Sequence, residues 1–478
     1  MPSQIAFLIW LVLLVALLRL DPIKVRGSSL ALWVPVAWLF ITATRLPSQW
    51  LGTSIGYTAE TFAEGNAFDR VVYFALIGLS LAILVRRSFK FGSFISNNLA
   101  LSGLVLVGLV SVAWSDFPFI AFKRWFRDLG IYLVILVVLT DRWGPDAVRW
   151  VYRRVFFLAI PLSIILIKYF PHMAREYDQW TGQQYFTGAA TSKNMLGVMC
   201  LVSGLYFLWD ICTQWHVRTQ PETRRVIWIN ASILAMTMWL LTQAGSATST
   251  LCFAMGAAII LATHIGPIRR NPALLPALVP LGIVSYMLLQ FAFGVDLVAV
   301  VSEAVGRQPD LTGRTNIWRV VLSTDISPLV GAGYESFWLG PRLLWVWERA
   351  TGVNHAHNGY LELYLNLGII GLAFLCAFLV GSYVSIWKRY RASPSLASYS
   401  LALWAVILFY NVTESAFRGQ LLWLCFLMSV IVVPRAVSSS QNRRMMAAPP
   451  PRLETDAHAL LADRTKRSEA TSRRRAFP

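Results

Sequence analysis

The chain has 478 residues, of which 56% are hydrophobic and only 14% are charged, and its formal net charge is +18. A water-soluble protein of this length needs more polar surface than such a composition provides, so the apolar excess must face lipid. These values exclude a soluble enzyme with an ordinary hydrophobic core. They predict a membrane protein built from helices, each of which needs about 20 mainly apolar residues to cross the bilayer.

The apolar residues form thirteen successive spans, at 5–20, 29–45, 70–85, 98–115, 119–140, 151–169, 194–210, 226–243, 247–265, 273–293, 359–387, 397–414 and 418–433. The span at 119–140 has the weakest pattern, because Lys123, Arg124 and Arg127 lie in its first turns. The first span follows no basic region and precedes no small-residue cleavage site, so we expect a retained helix. The fold class predicted is an all-α polytopic membrane protein with about 12–13 transmembrane helices.

These spans divide the chain into four parts. Residues 1–293 hold the first part of a transmembrane helical bundle, 294–358 a large loop, and 359–434 the last transmembrane helices. Residues 435–478 form a basic tail with few large apolar side chains, and we expect it to be disordered because it cannot bury a core. The loop is rich in tryptophan and glycine, so we expect it to fold, and long ordered loops are usually functional.

Basic residues are concentrated in alternate loops, which predicts the orientation of the chain because such loops stay in the cytoplasm. The tail lies on the same side, so we predict a cytoplasmic C-terminus, an outward N-terminus and a periplasmic large loop. The asymmetry accounts for the positive net charge without a nucleic-acid partner. The basic loops contain Lys24, Arg26, Arg86, Arg87, Lys90, Arg142, Arg149, Arg153, Arg154, Arg218, Arg224, Arg225, Arg269, Arg270, Lys388, Arg389 and Arg391.

Two of the six histidines, His355 and His357, lie immediately before the span that begins at Gly359. Histidine exchanges protons near neutral pH, which suits it to general base catalysis. At helical spacing, Gly368 and Gly371 return to nearly the same face as His357, and their lack of side chains would let another helix approach closely. An equally weighted alternative is a helix-capping cluster with Asn358 as the cap.

A second cluster contains Arg314, Trp318 and Arg319. Arg314 and Trp318 are four residues apart and share a face if this stretch is helical. Guanidinium groups match phosphate oxygens in a two-pronged way, so an arginine beside an aromatic ring suits a ligand with phosphate and sugar parts. The alternative, an amphipathic helix lying on lipid headgroups, would use the same residues and is favoured by these residues alone.

Charged residues also occur near the ends of the apolar spans. Long basic chains such as Lys123, Lys168 and Arg418 can reach the headgroups, and for any one of them this is the simpler interpretation. Lys193-Asn194 and the stretch from Asn411 to Glu414 are better candidates for a cavity, since a short Asn or Glu cannot reach far. Motifs for nucleotides or catalytic zinc are absent from the sequence. We therefore expect a reaction without ATP, cofactor or metal, with an energised donor delivered through the membrane.

Several segments together resemble the O-antigen ligase and Wzy-type polymerase family. His357-Asn358, nine residues, Gly368, two residues and Gly371 match that family's histidine signature. Residues 312–318, 327–333 and 337–338 resemble its arginine-containing outer loop, and 188–197 and 411–415 resemble further segments. The similarity runs from about 185 to 433, is strongest over 312–372, and favours the exopolysaccharide-polymerase, or ExoQ-like, branch.

The resemblance implies a GT-C-like glycosyltransferase of the bacterial inner membrane. Such enzymes use undecaprenyl-diphosphate-linked oligosaccharides on the periplasmic face, without metal, and invert the anomeric centre. Carried over, His357 is the candidate base for the acceptor hydroxyl and Arg314 the candidate group on the donor diphosphate, which Lys193 and Arg124 would help to hold. Flippase and chain-length regulator proteins are candidate partners. The further candidate substrate-binding residues are Asn194, Trp318, Arg319, His355, Asn358 and Glu414.

Two other functions stay open. An O-antigen ligase would transfer a finished glycan to lipid A core; many ligases carry an arginine after a serine where this chain has Gln243–Thr248, which modestly favours a polymerase. A transporter or flippase of lipid-linked sugars would need polar residues spread along several helices and repeat symmetry. The sequence has no convincing internal repeat.

Overall fold

The computed structural model describes residues 2–21, 29–53, 64–177, 182, 184–291, 314–350, 352–390 and 392–433. Within these ranges the chain is almost wholly helical, and its two strands form one short antiparallel hairpin with Arg175 opposite Phe186. One compact unit extends to Val433. The tail at 435–478 that we expect to be disordered lies outside the described residues, as does the 294–313 part of the large loop.

Nineteen α-helices, numbered in chain order, make up most of the described chain. They are α1 (Ser3–Leu20), α2 (Trp33–Ala43), α3 (Pro47–Trp50), α4 (Ala67–Arg86), α5 (Phe91–Asn97), α6 (Leu99–Val110), α7 (Pro118–Leu139), α8 (Pro145–Tyr169), α9 (Pro171–Ala174), α10 (Lys193–Gln214), α11 (Pro221–Ala244), α12 (Ala247–Ala262), α13 (Gly266–Arg270), α14 (Leu274–Phe291), α15 (Arg314–Leu322), α16 (Gly340–Arg349), α17 (Gly359–Tyr390), α18 (Pro394–Thr413) and α19 (Leu421–Val430). The strands are β1 (Arg175–Tyr177) and β2 (Gln184–Phe186).

The prediction of an all-α polytopic membrane protein is confirmed. Within the described residues, seven helices are long and apolar enough to cross a membrane, or up to eight if the pair α5 and α6, bent by 108°, forms one span. Three shorter apolar helices lie at Leu30–Ala43, Ala247–Ala262 and Leu421–Val430. Each of the thirteen predicted spans overlaps a helix, including the weakest one at 119–140, which corresponds to α7.

The start of α8 differs from the prediction. The helix begins at Pro145, not near 151, and Arg153 is completely buried in it. Arg153 and Arg154 both pair with the buried carboxylate of Asp21, at 2.9 and 2.6 Å. We counted these arginines among the basic loop residues, although both fall inside the predicted span 151–169. An unpaired charge is costly in an apolar environment, but the carboxylate of Asp21, directly after α1, removes that cost. This pairing is invisible in the local sequence.

The longest helix, α17, is broken at Gly368, whose backbone has φ +62° and ψ −162°. The segment 327–333 of the outer loop lies in the break and replaces the lost helical hydrogen bonds. The N–H groups of Ala332 and Gly333 donate to the carbonyls of Leu365 and Asn366, and those of Ile369 and Ile370 donate to Pro328 and Leu329, at 2.9 to 3.2 Å.

The break corrects our expectation for Gly368 and Gly371. A Cβ at Gly368 would overlap the backbone of Leu329, so the close approach is made by a loop and not by another helix. The atoms nearest to a Cβ at Gly371 belong to Leu367 of the same helix. The missing side chain at 368 is needed both for the positive φ and for this contact.

The described part of the outer loop has its own small apolar core. Helices α15 and α16 bury residues against the loop and against the start of α17. Trp338 is 4% exposed and Phe337 is fully buried in this cluster. The core contains Val321, Ala332, Phe337, Trp338, Leu343, Val346, Ala350, Ala356 and Leu365. The loop residues that carry polar side chains are therefore held on a packed element.

Candidate active site

The side chain of Glu414 is the point where the predicted site residues meet. Glu414 follows the last residue of α18, and its side chain is 7% exposed. Its Oε1 accepts hydrogen bonds from Nη2 of Arg314 at 2.8 Å and from Nδ2 of Asn194 at 2.9 Å. Its Oε2 lies 3.6 Å from Nδ1 of His357. Three candidates from distant parts of the sequence are thus gathered around one carboxylate.

Backbone contacts between the start of α17 and the end of α18 create this meeting point. The N–H of Gly359 donates to the carbonyl of Glu414 at 2.9 Å. A Cβ at Gly359 would overlap the amide of Asn411, so only glycine allows the two helix ends to lie this close. Oδ1 of Asn411 in turn accepts from the N–H of Ala416 at 2.7 Å and fixes the turn after α18.

The loop that carries the two histidines is fixed on both sides. Nε1 of Trp318 donates to the carbonyl of Ala356 at 2.8 Å, and the N–H of Ala356 donates to Oε2 of the buried Glu362 at 2.9 Å. His357, next to Ala356, has φ +50°. A bulky side chain rarely adopts this left-handed conformation, and such strained positions persist only where surrounding contacts enforce them. These contacts hold the imidazole of His357 toward Glu414.

Asn358 and Trp318 have structural roles in this loop. Oδ1 of Asn358 accepts from the N–H groups of Tyr360 and Leu361, both at 3.0 Å, so Asn358 caps α17. The capping interpretation of the cluster and the placement of His357 near Glu414 are therefore compatible. Trp318 and Arg314 lie on the same helix, α15, as their spacing predicts, and the Trp318 indole nitrogen is used in packing the loop.

His355 packs against His357 and extends the polar cluster. The two rings lie 3.9 Å apart between centroids, tilted by 41°. Burial lowers the pKa of His355 to about 4, and the neighbouring His357 and Arg314 act in the same direction while Glu414 opposes them. His355 is consequently uncharged near neutral pH and does not add to the positive charge of Arg314.

The other predicted residues are placed less centrally. Lys193 begins α10, adjacent to Asn194, and its Nζ lies 5.1 Å from the centroid of the Tyr185 ring. Arg319 is exposed on α15, five positions beyond Arg314. Lys193 can turn toward the cluster from its helix end, whereas Arg319 belongs to a different helix face.

Arg124 lies in a second polar cluster that our sequence analysis did not recognise. Its Nη1 donates to the carbonyl of Glu335 at 2.7 Å, and the Glu335 carboxylate pairs with Arg418. Tyr334 donates to Asp128 at 2.9 Å, and Asp128 also pairs with Arg127. We assigned Arg418 to lipid headgroups because it lies at the start of the apolar span 418–433. The adjacent glutamate, 83 positions earlier, could be recognised only from the fold.

A cavity of about 60 Å³ lies beside the cluster of Glu335 and Arg418. Gly359, Glu362 and Asn366 of α17 line one side, and Glu335 and Arg418 line another. This volume holds a few water molecules and is too small for a sugar ring. Apolar side chains such as Trp125, Leu363 and Phe417 complete its lining.

The comparisons with known proteins agree with the motifs. The family model described as O-antigen ligase matches residues 230–376 of the chain. The chain is also 26% identical over 348 residues to the exopolysaccharide production protein ExoQ of Rhizobium meliloti (strain 1021). That alignment covers 69% of this chain and 74% of the relative. The resemblance deduced from the sequence is confirmed: part of this membrane protein matches the O-antigen ligase family model, and the chain is similar to a protein of exopolysaccharide production.

Proposed function

We propose that this protein is a glycosyltransferase that polymerises undecaprenyl-diphosphate-linked oligosaccharide repeats into an exopolysaccharide or O-antigen. The O-antigen ligase family match and the similarity to ExoQ support a role in polysaccharide production. The observation that carries the proposal is the meeting of Arg314 and His357 at the carboxylate of Glu414. A base and a fixed cation side by side are what glycosyl transfer from a diphosphate requires.

His357 is the proposed base. Its Nδ1 faces Glu414, so a proton on Nδ1 points to the carboxylate and Nε2 can accept the proton of the acceptor hydroxyl. The acceptor oxygen then forms a bond to the anomeric carbon of the donor as the bond from that carbon to the diphosphate oxygen breaks. Attack opposite the leaving group inverts the configuration at this carbon. Glu414 orients the imidazole and stabilises the charge that it acquires.

Arg314 is the proposed group that stabilises the leaving diphosphate. It is bonded to Oε1 of Glu414, and its side chain is 15% exposed, so it is positioned before substrate arrives. A charged donor fixed where negative charge develops lowers the barrier more than a mobile one. Lys193, at the start of the neighbouring helix α10, is placed to assist it.

The second arginine cluster supplies further candidates for diphosphate binding. Arg124 and Arg418 both contact Glu335, and Arg418 lines the small cavity together with Gly359. Many ligases carry an arginine where this chain has Gln243–Thr248, and that segment contains none. A second arginine for binding the diphosphate is therefore unassigned by the sequence. We propose that Arg418 or Arg124 binds the donor diphosphate as this second arginine, once the donor lies between the two clusters.

The proposed site opens to the periplasm. It is built from the starts of α10 and α17 and the end of α18, which all lie at one end of the bundle. The basic loops at the start of α8 and between α10 and α11 belong to the opposite end, and loops of this kind remain in the cytoplasm. We accordingly propose an inner-membrane location with a cytoplasmic C-terminus.

The direct test uses purified protein and a defined diphosphate-linked repeat, with and without a chelator. We expect the repeat to be elongated in both conditions and elongation to be lost in His357→Ala. A protein that inserts and folds normally but elongates at the wild-type rate without His357 would contradict the proposed mechanism. Elongation that stops on chelation and returns with added metal would contradict the metal-free scheme.

O-antigen ligation is the second candidate, because that is the description of the matching family model. It shares the donor and the proposed chemistry and differs in the acceptor. A deletion strain separates the two functions: loss of a polymerase leaves single lipid-linked repeats, whereas loss of a ligase leaves long chains that are not attached to lipid A core. Transport of lipid-linked sugars would instead change the side on which the repeats accumulate.

A further inference from the structure

We propose that His355, His357 and Glu414 form a binding site for a zinc-like divalent cation, and that an ion bound there inhibits the enzyme. Binding of the ion is inferred from the three side chains alone. The inhibition part rests on the proposed function, because it concerns the base of that reaction.

The spacing of the three side chains fits a zinc ion with little movement. One possible ligand atom from each of the three lies within 4.8 Å of the others. His357 Nδ1 and Glu414 Oε2 are 3.6 Å apart. Zinc binds nitrogen and oxygen at about 2.0–2.2 Å, which places two ligands of a tetrahedral ion roughly 3.4 Å from each other. The widest separation would need to close by only about 1.4 Å.

The chemistry of the three groups selects the class of ion. Two imidazoles and one carboxylate are the nitrogen and oxygen ligands of catalytic zinc sites, in which a water molecule takes the fourth position. Magnesium and calcium prefer oxygen ligands alone. The cluster is thus selective for transition-metal ions of the zinc type.

The surrounding contacts leave these ligand atoms available. Arg314 and Asn194 occupy Oε1 of Glu414, so Oε2 is the oxygen that faces the imidazoles. Nδ1 of His357 is buried and makes no hydrogen bond to any described residue. A buried polar atom without a partner is a position where a bound ion gains the most. Trp318 and Glu362 hold the loop between the histidines, so the site is largely formed before the ion binds.

Occupation of this site would remove the proposed base. An imidazole that binds metal through Nδ1 carries its proton on Nε2 and cannot accept one from the acceptor hydroxyl. The ion would also draw Oε2 of Glu414 away from its position beside His357. The same cluster would therefore transfer sugars when empty and be inactive when it holds zinc.

Binding is tested without any sugar. Full-length protein in detergent is titrated with Zn²⁺ by calorimetry and with Co²⁺ by visible absorption, which reports four-coordinate sites. We expect one ion per chain, and at least a tenfold loss of affinity in His355→Gln and in Glu414→Gln. His172→Gln, which changes an exposed histidine outside the cluster, is the matched control and should bind as the wild type does.

Either of two results would overturn the site: no saturable one-to-one binding by the wild type, or equal affinity in the wild type and both cluster variants. Thermal melting without metal identifies variants that fail to fold. In that case the wild-type protein decides the question, because zinc at the site must raise its melting temperature while excess Mg²⁺ must not.

Inhibition is tested separately by adding Zn²⁺ to the elongation reaction. We expect at least a tenfold loss of rate near the measured dissociation constant and recovery with EDTA. Full activity with the ion bound would refute inhibition. A wild-type protein that never elongates the repeat would refute the proposed function, whereas the titration without sugar would still decide the metal site.

Discussion

At the residue scale, the site depends on one carboxylate that serves several partners. Glu414 accepts hydrogen bonds from Arg314 and Asn194 and faces His357. A buried carboxylate of this kind balances the guanidinium charge and fixes its direction. Loss of that charge leaves Arg314 partly buried without a counterion, which costs more than the loss of an exposed pair.

Glu414→Gln should therefore destabilise the protein by about 1.5–3 kcal/mol, the range for hydrogen bonds to charged groups. Glu348→Gln is the control, because Glu348 is 71% exposed and pairs with the adjacent Arg349. Such exposed pairs contribute about 0–1 kcal/mol. The free energies of unfolding of the two variants are compared by denaturation in detergent. Equal small effects would mean that Glu414 does not organise the site.

The pKa of His355 predicts how stability responds to acid. Burial lowers this pKa to about 4 in the folded protein, whereas an unfolded chain has a histidine pKa of about 6.5. Below about pH 6.5 the unfolded chain takes up a proton that the folded chain does not, so stability falls between about pH 6.5 and 4. With chelator present, the melting temperature should fall more in the wild type than in His355→Gln over this interval.

His172→Gln should show the wild-type dependence, because His172 is exposed and distant in sequence from the cluster. Parallel curves of melting temperature against pH for the wild type and His355→Gln would show that His355 is not held in its neutral form. Glu414, His357 and Arg314 face His355 and remain in both proteins, so the difference isolates its own protonation.

At the level of single residues, the sequence predicted the polar cluster around Glu414 but not the one around Glu335. Arg314, His357 and Glu414 were identifiable because they stand in short motifs beside apolar spans. Glu335 and Arg418 were missed, although Glu335 lies in a segment that resembles the family. Their pairing joins two loops 83 positions apart, and no local pattern distinguishes a basic residue that reaches headgroups from one that meets a glutamate.

At the element scale, the break in α17 connects the outer loop to the bundle. Segment 327–333 completes the hydrogen bonds of the broken helix, so the loop cannot shift without breaking them. Since Trp318 also bonds to the histidine loop, α15 and the start of α17 are held together. The break thereby helps to fix Arg314 relative to His357.

Gly368→Ala should lower the free energy of unfolding by more than about 3 kcal/mol, since the new Cβ meets backbone atoms and the positive φ becomes strained. Gly381→Ala in the same helix is the control. A Cβ at 381 has open space, and alanine favours a helix over glycine by about 0.5–1 kcal/mol. Thermal melting should separate the variants. An unaffected Gly368→Ala protein would argue against the break as described.

The helices themselves were predictable because a span of apolar residues has one stable form in lipid. Their ends were less predictable. Helix α8 continues into a charged stretch because Asp21 and Asp210 neutralise its arginines, and the break at Gly368 depends on a loop more than 30 residues earlier. Both features follow from contacts between separate elements.

At the scale of the whole molecule, the two ends of the bundle differ in the charge of their loops and in the side of the membrane that we propose for them. Buried ion pairs and hydrogen bonds around Arg153 join α1, α8, α10 and α11 at the end opposite Glu414. These contacts hold the four helices together at that end. The end around Glu414 carries the candidate site and, in our proposal, faces the periplasm.

Single cysteines test this orientation. Arg349→Cys on α16 should react with a membrane-impermeant maleimide in cells whose outer membrane alone has been made permeable. Arg224→Cys, near the start of α11, should react only after the inner membrane is also opened. Both positions are exposed, and the wild-type chain gives the background from its five cysteines. The reverse pattern would place the site in the cytoplasm and contradict the proposal.

The central claim is that Arg314 and His357 act on the same transfer step, and a double-mutant cycle on single-turnover elongation tests it most directly. Arg314→Ala and His357→Ala should each slow transfer by about 10²–10³-fold, as expected for removal of a fixed charge or a base. The double variant should be slower than either single variant but by less than the product of the two losses. Transfer at the wild-type rate in either folded single variant, or losses that multiply fully, would contradict a shared active site.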